Sequence, residues 1–544
     1  MTENEARRIV AELIGRLEFT NGRYFLPGNI IIPVEHAALS LLAPVPVSNV
    51  PLPGPDDGGA YGRTAPELNL DCLANRPEGS PILCLDFGTA YSKAAIWERN
   101  ALDPTVLNLG DTAGGSGPMV ESSVYLSDDM VFFGPEATRR YRTDNDAERK
   151  MFTSPKELLT HQPEDIETDR PEKAIDPSQR FKTRDLLILY LAYLTAVAGE
   201  SLLETGIQFA LPRRFAAPGW HNAQFGEPNS EFDAVARKMS SFLVDAQILA
   251  DSISFERWRG GIPCAVAREH LDELALSRDE RWTSCDLVQR PVLEAVAAAV
   301  GIEDNIQNKR VQVAIVDVGA GTIDVGLFAY VLTDGGPRIH PFRGGLSTFN
   351  MAGNYIDRAL IALAKSKTES DHDGVVDRKL DKALRDQIRD RKRDLFETGE
   401  VAILVDGFPR ISIRLDEFTS RPAIQDLVER FKADVAKAIV SSGIGNFAGV
   451  QAENLVVFTG GGGCISFLRE VFRQPFSFSG GERVYFVEQD ATPDWVRRAP
   501  PQQRDVFPQL AVATGGCSEG LPDEKHAVSD ISIAPRRHLS PEYK

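Results

Sequence analysis

From Pro81 onward, short apolar runs bounded by Gly and Asp alternate with stretches of helical periodicity, the texture of an α/β chain. Ile82 to Leu85 predicts a strand that runs into the turn Asp86-Phe87-Gly88-Thr89-Ala90, and Tyr91 to Trp97 predicts the returning strand. Val311 to Tyr330 repeats this layout: Val313 to Val316, then Asp317-Val318-Gly319-Ala320-Gly321-Thr322-Ile323-Asp324, then Val325 to Ala329. Such an internal repeat predicts two similar lobes, each presenting a hairpin turn to a shared cleft. A third glycine run, Thr459 to Gly463, follows the apolar strand Leu455 to Phe458 and precedes a helical pattern from Ile465 to Phe472.

Other helices are predicted over Arg184 to Ala198, Pro291 to Val300 and the charged block Val376 to Phe396. A strand pair, Val401 to Val405 and Ile411 to Leu415, predicts a smaller subdomain over about 354–454. The first eighty residues read as an extension: a helix from Glu5 to Leu17, strands around Asn21-Gly22 and Ile30 to Val34, and a Pro/Gly-rich linker from Pro44 to Gly62. The expected division is therefore 1–80, a first lobe 81–310, a second lobe 311–520 and a polar tail 521–544.

Charge and composition narrow the function. A net charge of −18 disfavours nucleic acid and anionic membrane as partners. The longest apolar stretch, Leu186 to Ala198, is shorter than a bilayer needs, and the Met1 segment carries Glu3 and Glu5 without an apolar core, so a cytoplasmic location is expected. The six cysteines are scattered without a C-x-x-C pair, and histidines such as His161, His221 and His340 are equally dispersed, which points away from disulfides and zinc.

The glycine-rich turns carry the candidate chemistry. Glycine permits close backbone approach, so several N–H groups can converge on one anion. Asp86 and Asp317, at the ends of their strands, are placed to hold a hydrated Mg²⁺ that bridges phosphates, because Mg²⁺ keeps waters and takes few protein oxygens. The run Gly460, Gly461, Gly462 lies between strand and helix, where backbone can approach a ligand at a helix N-terminus.

Over roughly Pro81 to Gly520 these motifs resemble the ATPase domain shared by actin, sugar kinases and the 70-kDa heat-shock proteins, closest to bacterial members without the usual substrate-binding domain. Leu85 to Ser92 resembles the first phosphate loop, with Gly88, Thr89, Ala90 and Tyr91 at the nucleotide. Asp317 to Asp324 resembles the second, with Gly319, Ala320, Gly321 and Thr322. Phe458 to Gly461 is similar to the adenosine loop, and Phe507 to Gly515 to the segment that closes the lobes. The resemblance implies a two-lobed fold of duplicated ribonuclease-H-like lobes, ATP/ADP and Mg²⁺ as ligands, and slow hydrolysis. It assigns catalysis to Lys156, in Ser154 to Leu159, together with Asp86, Asp317 and Thr322. It also implies phosphate contacts by Lys93 and Gly353, a ribose contact by Lys392, and a relay role for Pro212.

Departures accompany it. Arg290-Pro291 stands where the chaperones have Glu-Pro, implying that an acidic group near the metal waters is missing or replaced; Cys464 and Gln509 replace other base-pocket and closing residues. The segment 221–280 is longer than the pattern needs, and only a short polar tail follows Gly520. The expectation is a nucleotide-driven switch acting on a protein partner or client, with a self-associating actin-like ATPase, a small-molecule kinase and a pseudo-ATPase scaffold as alternatives.

Overall fold

A computed structural model describes residues 18–20, 23–25, 65–74, 79–98, 101–154, 156, 165–207, 210–217, 231–289, 291–302, 311–333, 336–368, 374–444, 453–477, 483–490 and 492–521. The chain divides into two compact units, Met1–Thr64 and Ala65–Lys544. In the first, Glu18–Thr20 and Arg23–Phe25 form an antiparallel hairpin with Thr20 opposite Arg23, as Asn21-Gly22 predicts. The helix, second strand and linker expected in that unit, and the tail beyond 521, lie outside the described residues. The boundary falls before residue 80 because Leu68, Leu70, Cys72 and Leu73 pack into the core of the second unit; the Asn69 N–H also donates to Ser252 Oγ at 2.8 Å.

The second unit is α/β and contains two larger sheets of the same plan. The first uses β1 (Ile82–Asp86), β2 (Tyr91–Trp97), β3 (Thr105–Val106), β4 (Arg213–Ala217) and β5 (Val292–Leu293) in the order β5-β4-β1-β2-β3, with Val120–Glu121 also on β2. The second uses β6 (Val311–Val318), β7 (Ile323–Thr333), β8 (Gly336–Phe349), β9 (Glu453–Thr459) and β10 (Val487–Glu488) in the order β10-β9-β6-β7-β8. In both, the strand before the glycine turn pairs antiparallel with the strand after it and parallel with a strand far along the chain. The repeat legible in the two D-x-G turns thus extends to the strand order.

The central strands are mostly apolar, as strands covered on both faces are, and every residue of β6 is buried, Gln312 and Asp317 included. Helix α1 (Thr183–Glu204) is long and apolar enough to cross a membrane by length and composition alone, yet 78% of its most apolar window is buried against the first sheet's core. Helices α2 (Glu231–Ser252) and α3 (Cys264–Ser277) form much of the long segment noted above. The second sheet shares one core with α5 (Gly353–Ser366), α6 (Gly374–Thr398), α7 (Pro422–Ser442) and α8 (Ser466–Arg473). The pair Glu400–Ile403 and Ile411–Arg414 is antiparallel, but Val401, Ile403, Ile411 and Ile413 join that same core, so the expected subdomain has no separate one.

Helices α4 (Glu294–Gly301) and α9 (Phe507–Gly516) lie against each other, tied into a cluster that includes residues of both sheets. A Cβ on Gly515 would sit 1.8 Å from the Ala297 carbonyl oxygen, and one on Gly301 2.3 Å from that of Ala511. Only glycine allows backbones this close. The predicted helix from Pro291 starts later, at Glu294, because Val292 and Leu293 pair with Ala216 and Ala217.

Candidate functional site

The β1–β2 turn is held by its own close fit. A Cβ on Gly88 would lie 2.0 Å from the Tyr91 carbonyl oxygen; Ser122 Oγ donates to the Gly88 carbonyl at 2.7 Å, and the Ser122 N–H to the Ala90 carbonyl at 2.9 Å. In the β6–β7 turn the Gly319 N–H donates to the Thr322 carbonyl at 2.9 Å. The third loop closes over this second turn. Gly460, at φ 77°, donates to the Pro508 carbonyl at 2.7 Å, and Gly462 donates to the Val318 carbonyl at 2.9 Å.

These three loops line one cavity of ≈ 790 Å³, within the range of about 300–1,000 Å³ usual for small-molecule and cofactor sites. Every site residue expected from sequence borders it. From the first sheet come Asp86, Gly88, Thr89, Ala90, Tyr91 and Lys93; from the second turn come Asp317, Gly319, Ala320, Gly321 and Thr322. Lys156, Gly353 and Lys392, the loop residues Gly460, Gly461, Gly462 and Cys464, and Gln509 of the closing helix complete the set.

Some of these groups are otherwise engaged. The N–H of Gly353 donates to the Gly319 carbonyl at 3.2 Å and that of Asn354 to the Ala320 carbonyl at 2.7 Å, so this end of α5 braces the turn. Lys392 pairs with Asp357 at 2.6 Å. Thr322 donates its hydroxyl proton to Asp324 at 2.8 Å, and Thr348 donates to the other oxygen of Asp324 at 2.7 Å.

Register explains the electrostatics. Across the first hairpin Asp86 faces Lys93, and the two form an ion pair at 2.9 Å. Across the second, Asp317 faces Asp324. Burial first, then the like charges of Asp324 and Asp86, push the Asp317 carboxyl up to about 6, against Lys93 and the Thr459 hydroxyl that donates to it at 2.9 Å. Lys156 is buried and touches Glu294. Burial lowers its ammonium pKa, opposed chiefly by Asp86 and Asp324.

Glu294 is the acid that sequence reasoning missed. Its signal was an acid in the first turn of an alanine-rich helix, four residues after Arg290 of the Arg290-Pro291 departure. Arg290 lies outside the described residues. Arg389, Arg393 and Phe396 also line the cavity; their spacing with Lys392 is that of one face of α6, so the stripe was visible in the charged block.

The carboxylates of Asp86 and Asp317 on the cavity wall are of the kind that suits Mg²⁺. No group of three or more metal-binding side chains occurs among the described residues, so a metal here would rest on two carboxylates and on water or phosphate oxygens, as Mg²⁺ does. Asp317, repelled by two neighbouring carboxylates, is a group that a cation would relieve. No protein-family model matches the chain, and a search of curated proteins found no match.

Proposed function

We propose that the chain is a two-lobed ATPase of the actin and heat-shock-70 type, with duplicated ribonuclease-H-like lobes and ATP between them. The observation that carries this reading is the repeated strand order, whose two glycine turns border one cavity together with a buried Lys156–Glu294 pair. Asp86 and Asp317 would hold Mg²⁺ through waters, and the metal, when bound, supplies positive charge to the phosphate oxygens. The turns and the Gly460 loop approach the nucleotide with backbone, and Arg389, Lys392 and Arg393 face its ribose end.

Hydrolysis rests on groups that are already desolvated. Lys156 meets charge that develops on the γ-phosphate, where a positive group in a water-poor site acts most strongly. Glu294 holds the Lys156 ammonium in place and accepts a hydrogen bond from the attacking water. Domain closure on ATP and loosening after hydrolysis then form a switch that acts on a protein partner. Calorimetric titration with ATP-Mg²⁺ and ADP, alongside phosphate release from wild type, Asp86→Ala and Lys156→Ala, tests this. Binding with release lost in Lys156→Ala is expected; absence of nucleotide binding overturns the reading, and binding without release in wild type reduces it to a nucleotide-dependent scaffold.

A further inference from the structure

A second concave site lies outside the nucleotide cleft, on the long segment between the two turns. A pocket of ≈ 510 Å³ is bordered by Glu167, Arg184 of α1, Arg237, Lys238 and Ser241 of α2, and Arg278 just after α3. Two of its arginines, Arg184 and Arg278, are held in place. Asp245, fully buried, takes Arg184 at 3.3 Å and also pairs with Arg278. Trp282 Nε1 donates to the other Asp245 oxygen at 3.1 Å, Arg278 Nη1 donates to Ser241 Oγ at 2.8 Å, and Arg184 lies over the Phe242 ring at 5.5 Å. Glu167 takes Arg184 Nε at 3.1 Å and Lys238 at 4.0 Å.

Four cations, Arg184, Arg237, Lys238 and Arg278, line the pocket together with one carboxylate, Glu167, and the buried Asp245 lies beneath two of them. They stand in a chain whose net charge is −18. A guanidinium carries five N–H donors; in these contacts Arg184 uses Nε and Nη2, and Arg278 uses Nη1 and Nη2. Forked arginines suit tetrahedral oxyanions better than point charges do.

We propose that this pocket binds a phosphate monoester dianion, presented by a free phosphorylated small molecule or by a phosphorylated side chain of a partner protein. Four cations around one concavity suit a doubly charged oxyanion, and the buried Asp245 pre-sets two of the guanidiniums. This site is independent of the nucleotide reading.

Hydrogen–deuterium exchange of the full chain, titrated with inorganic phosphate, O-phosphoserine and a phosphoserine peptide, tests the proposal. Protection of segments 237–245 and 275–282 is expected, and the Arg237→Glu/Lys238→Glu chain should require roughly tenfold more ligand or beyond for the same protection, as loss of charge-assisted hydrogen bonds implies. Both positions lie at the pocket rim, so a urea midpoint equal to wild type accompanies that loss. Tighter binding of the peptide than of the small anions assigns the source to a partner, and equal binding assigns it to a free metabolite. No protection at these segments, or protection unchanged in the double variant, overturns the proposal. Arg237→Lys, which keeps charge without the fork, should fall between the two.

Discussion

Replacing Asp317 with Asn should make the ligand-free protein more stable at neutral pH. The ordinary carboxyl value is 3.8 and the folded one is about 6, a gap of roughly 3 kcal/mol between the protonated and ionised forms. Between these two values the folded protein holds a proton that the unfolded chain has released, so this group's contribution to stability falls as pH rises through that window. Above about 6 the folded state carries the full cost of the buried charge. Asn keeps an oxygen for the Thr459 hydroxyl and places an N–H₂ toward the carboxylates of Asp86 and Asp324. Urea denaturation of wild type and Asp317→Asn at pH 7 and pH 4 measures the effect. The variant should be more stable by up to about 3 kcal/mol at pH 7, and the difference should vanish near pH 4. A variant no more stable at pH 7, or a difference independent of pH, would show that the negative charge on Asp317 is already compensated, and the cation-seeking role argued for it would fail.

If Mg²⁺-ATP needs ionised Asp317, its affinity should fall as pH drops through about 6, at most about tenfold per unit for one proton; a flat calorimetric profile from pH 7 to 5 contradicts this. Glu294→Gln leaves a buried lysine without its charged partner and should cost about 3 kcal/mol or more, whereas the double variant Glu294→Gln/Lys156→Met should cost less than the sum of its singles. Urea midpoints complete that cycle, and strict additivity argues against a coupled pair. Gly515→Ala favours a helix by propensity, about 1 kcal/mol, yet its Cβ would meet the Ala297 oxygen at 1.8 Å, so a net loss on the order of 3 kcal/mol is expected; a rise in the urea midpoint refutes the contact. Lys93→Met removes the cation that occupies Asp86, so ATP binding should become more dependent on Mg²⁺, and an unchanged Mg²⁺ titration would exclude that competition.

Local signals foretold much of the second unit. The strands on both sides of each D-x-G turn, the glycine loop after β9 and the helices over Arg184 to Ala198 and Val376 to Phe396 all rest on periodicity and turn chemistry carried by neighbouring residues. All the expected site residues border one cavity because they sit at strand ends and turns, whose positions follow once the strands are fixed. What failed depended on distant partners. The start of α4 was misplaced because Val292 and Leu293 pair with a strand 76 residues earlier, and with it Glu294 was overlooked. The extension boundary was set too late because Leu68, Leu70 and Leu73 find their core in helices that follow much later. The basic pocket was illegible for the same reason, since Glu167, Arg184, Asp245 and Arg278 are brought together by packing among separate elements.

The two hairpins have one plan and opposite electrostatics. In each, an aspartate in the last two residues of the leading strand faces the residue seven positions on, because the turn holds the same number of residues. That residue is Lys93 in the first and Asp324 in the second, so a single difference decides whether the leading carboxylate is neutralised by its own hairpin. Asp86 therefore arrives at the cavity with a counter-charge, whereas Asp317 arrives with a second carboxylate behind it and a pKa raised accordingly. A cation entering the cavity gains most at the second turn, where like charges repel, and must displace or share an ammonium at the first. The repeat thus builds two similar walls, and one residue in each hairpin makes them unequal.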